Sequence, residues 1–214
     1  MSSRIRFACA ADVFSAYDDL KFLLSAPTGD VEPLAYAQTL LRSRQPADAI
    51  AFLAHLLPRR EAVWWARQCA AAILGRRAED ARLLAADAWV REPDDERRQA
   101  ALKLGEAGNR TLPTTWLALA AGWSPVPRPR PDGKPPLQPA SVCARAVNAA
   151  IMQAIAGSAP ALMSGWIVAC VDAGVRFAEG GEARVPAPKL EAEPAQARRA
   201  PPETRNPFSA GARA

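Results

Sequence analysis

The adjacent tryptophans Trp64 and Trp65 are the side chains whose type and spacing point most directly to binding. They lie in a stretch with helical spacing, in which neighbouring residues point about 100° apart. One indole can therefore fill a core while the other reaches a second layer or a partner. The stripe that contains Trp65 is apolar, with Ala62, Ala66, Cys69 and Ile73. Trp64 falls almost opposite, beside Arg60, Arg67 and Ala71.

The arginines around Trp64 make this side of the helix a candidate binding surface. Tryptophan and arginine are enriched among the residues that dominate binding energies, and a guanidinium over an exposed indole contributes about 0.5–1 kcal/mol. A second interpretation is a central helix buried on two sides, with its arginines extended towards solvent. The two interpretations are compatible in part. We predict that Arg60, Trp64 and Arg67 bind a partner.

An enzymatic site near the same helix is the alternative. It would combine Glu61, His55 and Arg60, and His55 is the single histidine of the chain. His55 lies off the apolar stripe of its predicted helix, so we expect it to be half exposed. No acid or nucleophile stands beside it at a fixed spacing, so we predict no catalytic residues. Arg59, Arg60 and Glu61 at a helix start could also hold an anion, although a solvated surface fits the same pattern.

The cysteines give no pattern for a metal or a cofactor, and we predict neither. They stand at positions 9, 69, 143 and 170, and no two are spaced as CxxC. Structural zinc sites combine four Cys or His ligands, usually in close pairs. We expect reduced thiols and therefore a cytoplasmic protein. The first residues lack the apolar run of a secretory signal, so we expect none.

The net charge of +5 comes from arginines that are dispersed among acidic residues. A nucleic-acid-binding protein usually concentrates its cations on one face, beside aromatic residues or a known motif. This chain shows neither feature, so we expect a partner that is a protein rather than a nucleic acid.

Alanine and leucine dominate the composition and predict an all-α fold. Many prolines stand where a helix would begin, a position that proline favours. Apolar spacing and these prolines predict helices over 10–24, 33–42, 46–57, 58–74, 79–92, 93–105, 113–123, 141–156 and 160–179. The last stretch is the most membrane-like, but it contains Asp172 and Arg176. We interpret it as a buried core helix and expect no membrane span.

Two segments rich in proline lie outside the helices. Residues 124–139 hold seven of the twenty prolines and predict a loop in an extended conformation. The PxxP match at 136–139 makes a docking peptide the alternative to a covering linker. Residues 181–214 have few large apolar side chains and predict a disordered tail. The expected organisation is one domain at 1–180 followed by that tail.

The helices of the first half predict stacked hairpins, at 47–74 and 79–107, followed by a terminal hairpin. Residues 93–108 resemble the second helix of a HEAT-like repeat, since Asp94, Arg97, the pair Ala100-Ala101 and Leu104-Gly105 occur in the order typical of that repeat. The resemblance covers about one repeat and implies stacked helical pairs.

A longer resemblance begins at Leu56 and runs through Arg60, Glu61, Trp64 and Trp65 to Ala66, with Trp89 and the segment 161–166 further on. In these residues the chain resembles an uncharacterised proteobacterial domain family of unknown function, over roughly 10–180. The resemblance implies a neighbourhood of type VI secretion genes and no assigned catalytic residues. We therefore expect an adaptor that binds another protein, such as a component of a secretion system.

Overall fold

Nine α-helices make up the described part of the chain, which comprises residues 3–75, 80–124 and 141–189 of the computed structural model. They are α1 (Ala10–Ala16), α2 (Pro33–Leu41), α3 (Asp48–Leu56), α4 (Arg59–Leu74), α5 (Ala81–Arg91), α6 (Asp95–Glu106), α7 (Pro113–Gly122), α8 (Val142–Ala156) and α9 (Met163–Ala178). Short 3-10 helices span Asp18–Phe22 and Pro160–Leu162. These described residues contain no strand, so the predicted all-α class is confirmed.

The helices begin within three residues of their predicted starts. Pro58 is the N-cap of α4. The carboxylates of Asp80 and Asp94 accept hydrogen bonds of 2.8 Å from backbone N–H groups in the first turns of α5 and α6. Such caps satisfy donors that the helix itself leaves without a partner. The predicted loop at 124–139 lies outside the described residues, apart from Ser124.

The helix predicted over 10–24 is divided in two. α1 ends at Ala16, and the next residue, Tyr17, leaves the helical conformation with φ of −134° and ψ of 82°. Asp18 and Asp19, which are weak helix formers, then begin the 3-10 helix. The break turns the chain so that Tyr17 and Leu20 are both buried. It also leaves the ring of Phe22 89% exposed.

Helices α5 to α8 pack in chain order, and the contact between α6 and α7 is especially close. A Cβ atom at Gly105 would lie 2.7 Å from Leu119 Cγ, and one at Gly122 would lie 2.7 Å from Leu102 Cβ. Carbon atoms do not approach so closely, so both positions require glycine. The predicted pair at 79–107 corresponds to α5 and α6, which pack together. In the pair predicted at 47–74, α4 lies more against α8 than against α3.

Helix α9 supplies a wall of the core for α4, and Trp65 joins the two. Trp65 is fully buried, and its Nε1–H donates a hydrogen bond of 2.9 Å to the Cys170 carbonyl. A Cβ atom at Gly174 would lie 2.9 Å from the indole Cε2, so glycine makes room for the ring. α4 also contacts α5, α7 and α8. The expected position of α4 between neighbours is therefore present.

Residues 160–178 form a helical stretch that is long and apolar enough to cross a membrane by length and composition. Its mean hydropathy is 1.4, and half of that stretch is buried within the fold. The buried side chains include Trp166, Cys170 and Val171, which belong to the hydrophobic core.

The chain after α9 stays against the helices for longer than the predicted boundary at 180 allows. Residues 182–189 have no regular secondary structure, yet Ala183 is 4% exposed and Val185 packs against the core. A Cβ atom at Gly165 would lie 2.6 Å from Pro188 Cβ. Small apolar side chains thus hold 183–188 on the domain, although their low hydrophobicity predicted a tail from 181. The rest of the predicted tail, 190–214, lies outside the described residues.

Candidate binding groove

The two tryptophans of α4 face different surroundings. Trp65 fills the core beneath α9, whereas Trp64 is partly buried at the surface of the helix. The prediction that adjacent indoles would point in different directions is confirmed. Trp64 packs against the core on one side and borders open space on the other.

Two neighbouring cavities share Trp64 in their linings, and together they are what we call the Trp64 groove. The narrow end has a volume of about 270 Å³, and the wide end about 580 Å³. Both ends share Arg4, Trp64 and Phe177. The narrow end is lined further by Arg60, Glu61, Val90 and Arg91. The wide end is lined by Gln68, Ala71, Ala72 and the segment 181–185.

Arg4 and Arg60 each bind the carboxyl end of a helix at the edge of this groove. Arg60 Nε donates a hydrogen bond of 2.7 Å to the Val90 carbonyl, and its Nη2 lies 3.3 Å from the Arg91 carbonyl. Arg4 Nη1 donates to the Phe177 and Gly181 carbonyls, and its guanidinium carbon lies 4.1 Å from the centre of the Phe177 ring. Helix C-termini attract cations because their last carbonyls lack helical partners. These bonds fix two guanidinium groups beside Trp64.

Asp87 on α5 joins two further arginines near the groove. Its two carboxylate oxygens lie 2.9 Å from Arg67 Nε and 2.8 Å from Arg91 Nε. The guanidinium carbon of Arg67 is 5.6 Å from the centre of the Trp64 ring. This ion pair therefore holds Arg67 next to the indole. The structure thus brings Arg60 and Trp64 into one groove and places Arg67 beside it, not in its lining.

Several lining residues of the groove were missed by the sequence analysis. Arg4 and the segment 181–185 reach the groove from near the two ends of the described chain, and no local sequence pattern predicts that they line it. Phe177 was assigned only to an apolar helix. Arg91 had a visible signal, since it lies four residues after Asp87 and makes an i,i+4 ion pair.

His55 is buried, so the expectation that it would be half exposed is wrong. It is 1% exposed, and its ring packs edge-on against Tyr17 with centroids 5.1 Å apart. Apolar residues on every side of α3 place this helix inside the molecule, and a single stripe does not describe it. His55 Nδ1 lies 2.7 Å from the Ala51 carbonyl, which can only accept, so Nδ1 carries the proton. Burial lowers the pKa of His55, and this effect exceeds the opposite effect of that hydrogen bond.

The three residues of the alternative catalytic set do not share one cavity. Arg60 and Glu61 line the narrow end of the groove, and His55 does not. Among the described residues, no three His, Cys, Asp or Glu side chains are grouped as metal ligands. Burial raises the pKa of the Cys143 thiol to about 12, which disfavours the nucleophilic thiolate there.

Comparison with known proteins places most of this fold in a family. Residues 36–178 match the family of unknown function DUF6931, and this range contains all of α4, α5 and α9. No curated protein and no solved structure matches the chain. The match confirms the resemblance to an uncharacterised family. The chain belongs to the family of unknown function DUF6931.

Proposed function

We propose that this protein is a non-enzymatic adaptor that binds another protein in the Trp64 groove. The observation that supports this proposal is one partly buried indole shared by two neighbouring cavities and bordered by fixed arginines. Tryptophan and arginine in such a half-enclosed position are the residue types that contribute most to protein interfaces.

The positions of Arg4 and Arg60 support a surface that is ready to bind. Both guanidinium groups are held by backbone carbonyls at the ends of α9 and α5, and both lie beside Trp64. Side chains that are already ordered lose less conformational entropy when a partner binds. The groove is therefore suited to the specific binding of a partner protein.

The partner that we propose to test first is a component of a secretion system. The resemblance to a proteobacterial family near type VI secretion genes motivates this choice. In this proposal the protein acts in the cytoplasm.

The decisive variant is Trp64→Ala, with Trp116→Ala as its matched control. Trp116 is also partly buried, and Arg110 lies 5.2 Å from the centre of its ring, but Trp116 belongs to α7. The proteins that bind to the wild type and to each of the two variants are identified. A protein retained by the wild type is then purified and titrated against the wild type and against both variants. Thermal unfolding of all three is measured alongside.

We expect a purified partner that binds the wild type and Trp116→Ala but not Trp64→Ala. The unfolding midpoint of Trp64→Ala should stay close to that of the wild type, because one side of the indole is open. Equal binding by Trp64→Ala would refute the proposal. A large fall in its midpoint would show that Trp64 acts as a core residue.

A further inference from the structure

The wide end of the Trp64 groove has two unlike walls. One wall is the side of α4 that carries Gln68, Ala71 and Ala72, and the other is the segment 181–185. Trp64 and Phe177 line the wide end together with these walls, and both residues also line the narrow end. Four of the seven residues that line the narrow end are charged, whereas the wide end combines small apolar side chains with Arg4, Glu182 and Arg184.

The segment 182–185 has the alternation of an extended strand without a strand to pair with. Ala183 and Val185 face the core, whereas Glu182 and Arg184 are exposed. The last backbone N–H that bonds to a described carbonyl is that of Gly181, 2.9 Å from the Arg176 oxygen. Within the described chain, the N–H groups of 182–185 donate to no other backbone group, whereas the Arg184 carbonyl already accepts a hydrogen bond of 2.6 Å from Arg176 Nη2. Such backbone is a template on which an extended peptide can form main-chain hydrogen bonds.

The charge of the groove lining is positive. It contains four arginines, at 4, 60, 91 and 184, and two glutamates, at 61 and 182. Arg91 is paired with Asp87, but Arg4 and Arg60 have no carboxylate within 4.0 Å among the described residues. Their bonds to helix carbonyls use a part of their donors, since each guanidinium group has five N–H groups. The remaining donors and the uncompensated charge favour a carboxylate ligand.

We infer that the occupant of the Trp64 groove is an extended acidic segment of the partner protein, with carboxylates against Arg60 and Arg4 and aliphatic side chains over Trp64, Ala71 and Ala72. This inference rests on the proposed function, since it names the chemistry of the partner. Main-chain hydrogen bonds to 182–185 hold the segment in register. Phosphate groups of a nucleic acid are the competing ligand, but the groove offers apolar aliphatic surface in place of a row of stacking aromatic rings.

A random dodecapeptide library displayed on phage tests the inference with the full-length protein. Selection is carried out on the wild type, and each enriched peptide is synthesised and titrated against the wild type, Trp64→Ala and Arg60→Glu. Arg110→Glu is the matched control, because this exposed arginine stacks on Trp116 and lies on another part of the surface. If Arg60→Glu fails to fold, Arg184→Glu replaces it, since that side chain is exposed. Oligo-dT is added as a competitor.

The expected peptides contain Asp or Glu beside Leu, Ile or Val. Their affinity should fall about tenfold or more in Arg60→Glu and in Trp64→Ala, and should stay unchanged in Arg110→Glu. A peptide with Lys in place of its acid should regain affinity for Arg60→Glu. Higher ionic strength should weaken the binding of the wild type.

Three other outcomes overturn the inference, and they differ in whether the proposed function fails with it. Neutral or basic peptides that depend on Trp64 refute the acidic ligand while leaving the adaptor role intact. Peptides that bind equally well to Trp64→Ala refute both proposals. Oligo-dT that displaces the peptides and binds more tightly, in a manner that depends on Arg60, assigns the groove to nucleic acid instead.

Discussion

At the scale of single residues, Trp64 and Trp65 show how one peptide bond can separate a core residue from a surface residue. Trp65 donates a hydrogen bond to the Cys170 carbonyl and fills space left by Gly174, so its burial leaves no polar atom without a partner. Trp64 has open space on one side and Arg67 near its ring. The helical angle of about 100° between successive side chains produces this division without any change in the backbone.

His55 carries the clearest pH dependence, because it is the sole histidine of the chain and its Nε2 has no hydrogen-bond partner in the described structure. Burial lowers the pKa of His55 below 6.5. As the pH falls, His55 is therefore protonated in the unfolded chain before it is protonated in the folded chain. We expect the free energy of unfolding to be independent of this group above pH 7 and to fall as the pH is lowered through about 6.5.

The measurement is urea unfolding between pH 5 and 7.5, for the wild type and for His55→Leu. Asp19 raises the pKa of His55 and Arg145 lowers it, but neither outweighs burial. The variant should lose the slope in this range, whatever its absolute stability. An identical slope in both proteins would contradict the account of a neutral buried imidazole.

At the scale of elements, the contact between α6 and α7 depends on glycines within helices. Replacement of glycine by alanine within a helix normally stabilises the helix by about 1 kcal/mol. At Gly105, however, a Cβ atom would lie 2.9 Å from the backbone nitrogen of Leu119, and backbone cannot move aside as a side chain can. Steric conflict should therefore exceed the gain in helix propensity.

We predict that Gly105→Ala lowers the free energy of unfolding by about 1–3 kcal/mol. Gly157→Ala is the control, since a Cβ atom there would have no neighbour closer than 3.5 Å and its φ of −81° suits alanine. Chemical denaturation of both variants measures the difference. A stabilised Gly105→Ala would show that α6 and α7 are not packed as closely as described.

At the scale of the whole molecule, the groove joins parts of the chain that are far apart in sequence. Arg60, Trp64, Arg91 and Phe177 lie within the range 36–178 that matches the family, whereas Arg4 and 181–185 lie outside it. Most residues of the narrow end, and the side of α4 that lines the wide end, thus lie within the part of the chain that matches the family. One wall of the wide end comes from the flanking chain.

Truncation separates these two contributions. A chain that ends at Gly181 loses the buried Ala183 and the packed Val185, and we expect its free energy of unfolding to fall by about 1–3 kcal/mol. It should also lose affinity for a ligand of the wide end. A chain that ends at Lys189 should keep both properties. Calorimetry on the two truncated chains measures the first, and equal midpoints would contradict the packing of 183–185.

Local signals in the sequence predicted most of the helices but only part of the groove. The signals that place the helices are local: proline at helix starts, a glycine such as Gly75 at a helix end, and apolar spacing between them. Helices α2 to α9 therefore lie close to their predicted bounds. The break at Tyr17 and the burial of His55 depend on tertiary contacts such as the ring contact between these two residues. Arg60 and Trp64 could be singled out because they share a side of one helix. Arg4 and 181–185 could not, because only folding brings them to Trp64.

The central claim, that Trp64 lies at a binding site while Trp65 lies in the core, can be tested directly by NMR of the indole N–H groups. The chain has six tryptophans and therefore six indole signals, which single Trp→Phe variants assign. When an acidic peptide selected on the wild type is added, the account predicts a shift of the Trp64 signal. The Trp65 and Trp116 signals should not move. A Trp64 signal that stays in place while the Trp116 signal shifts would contradict the account.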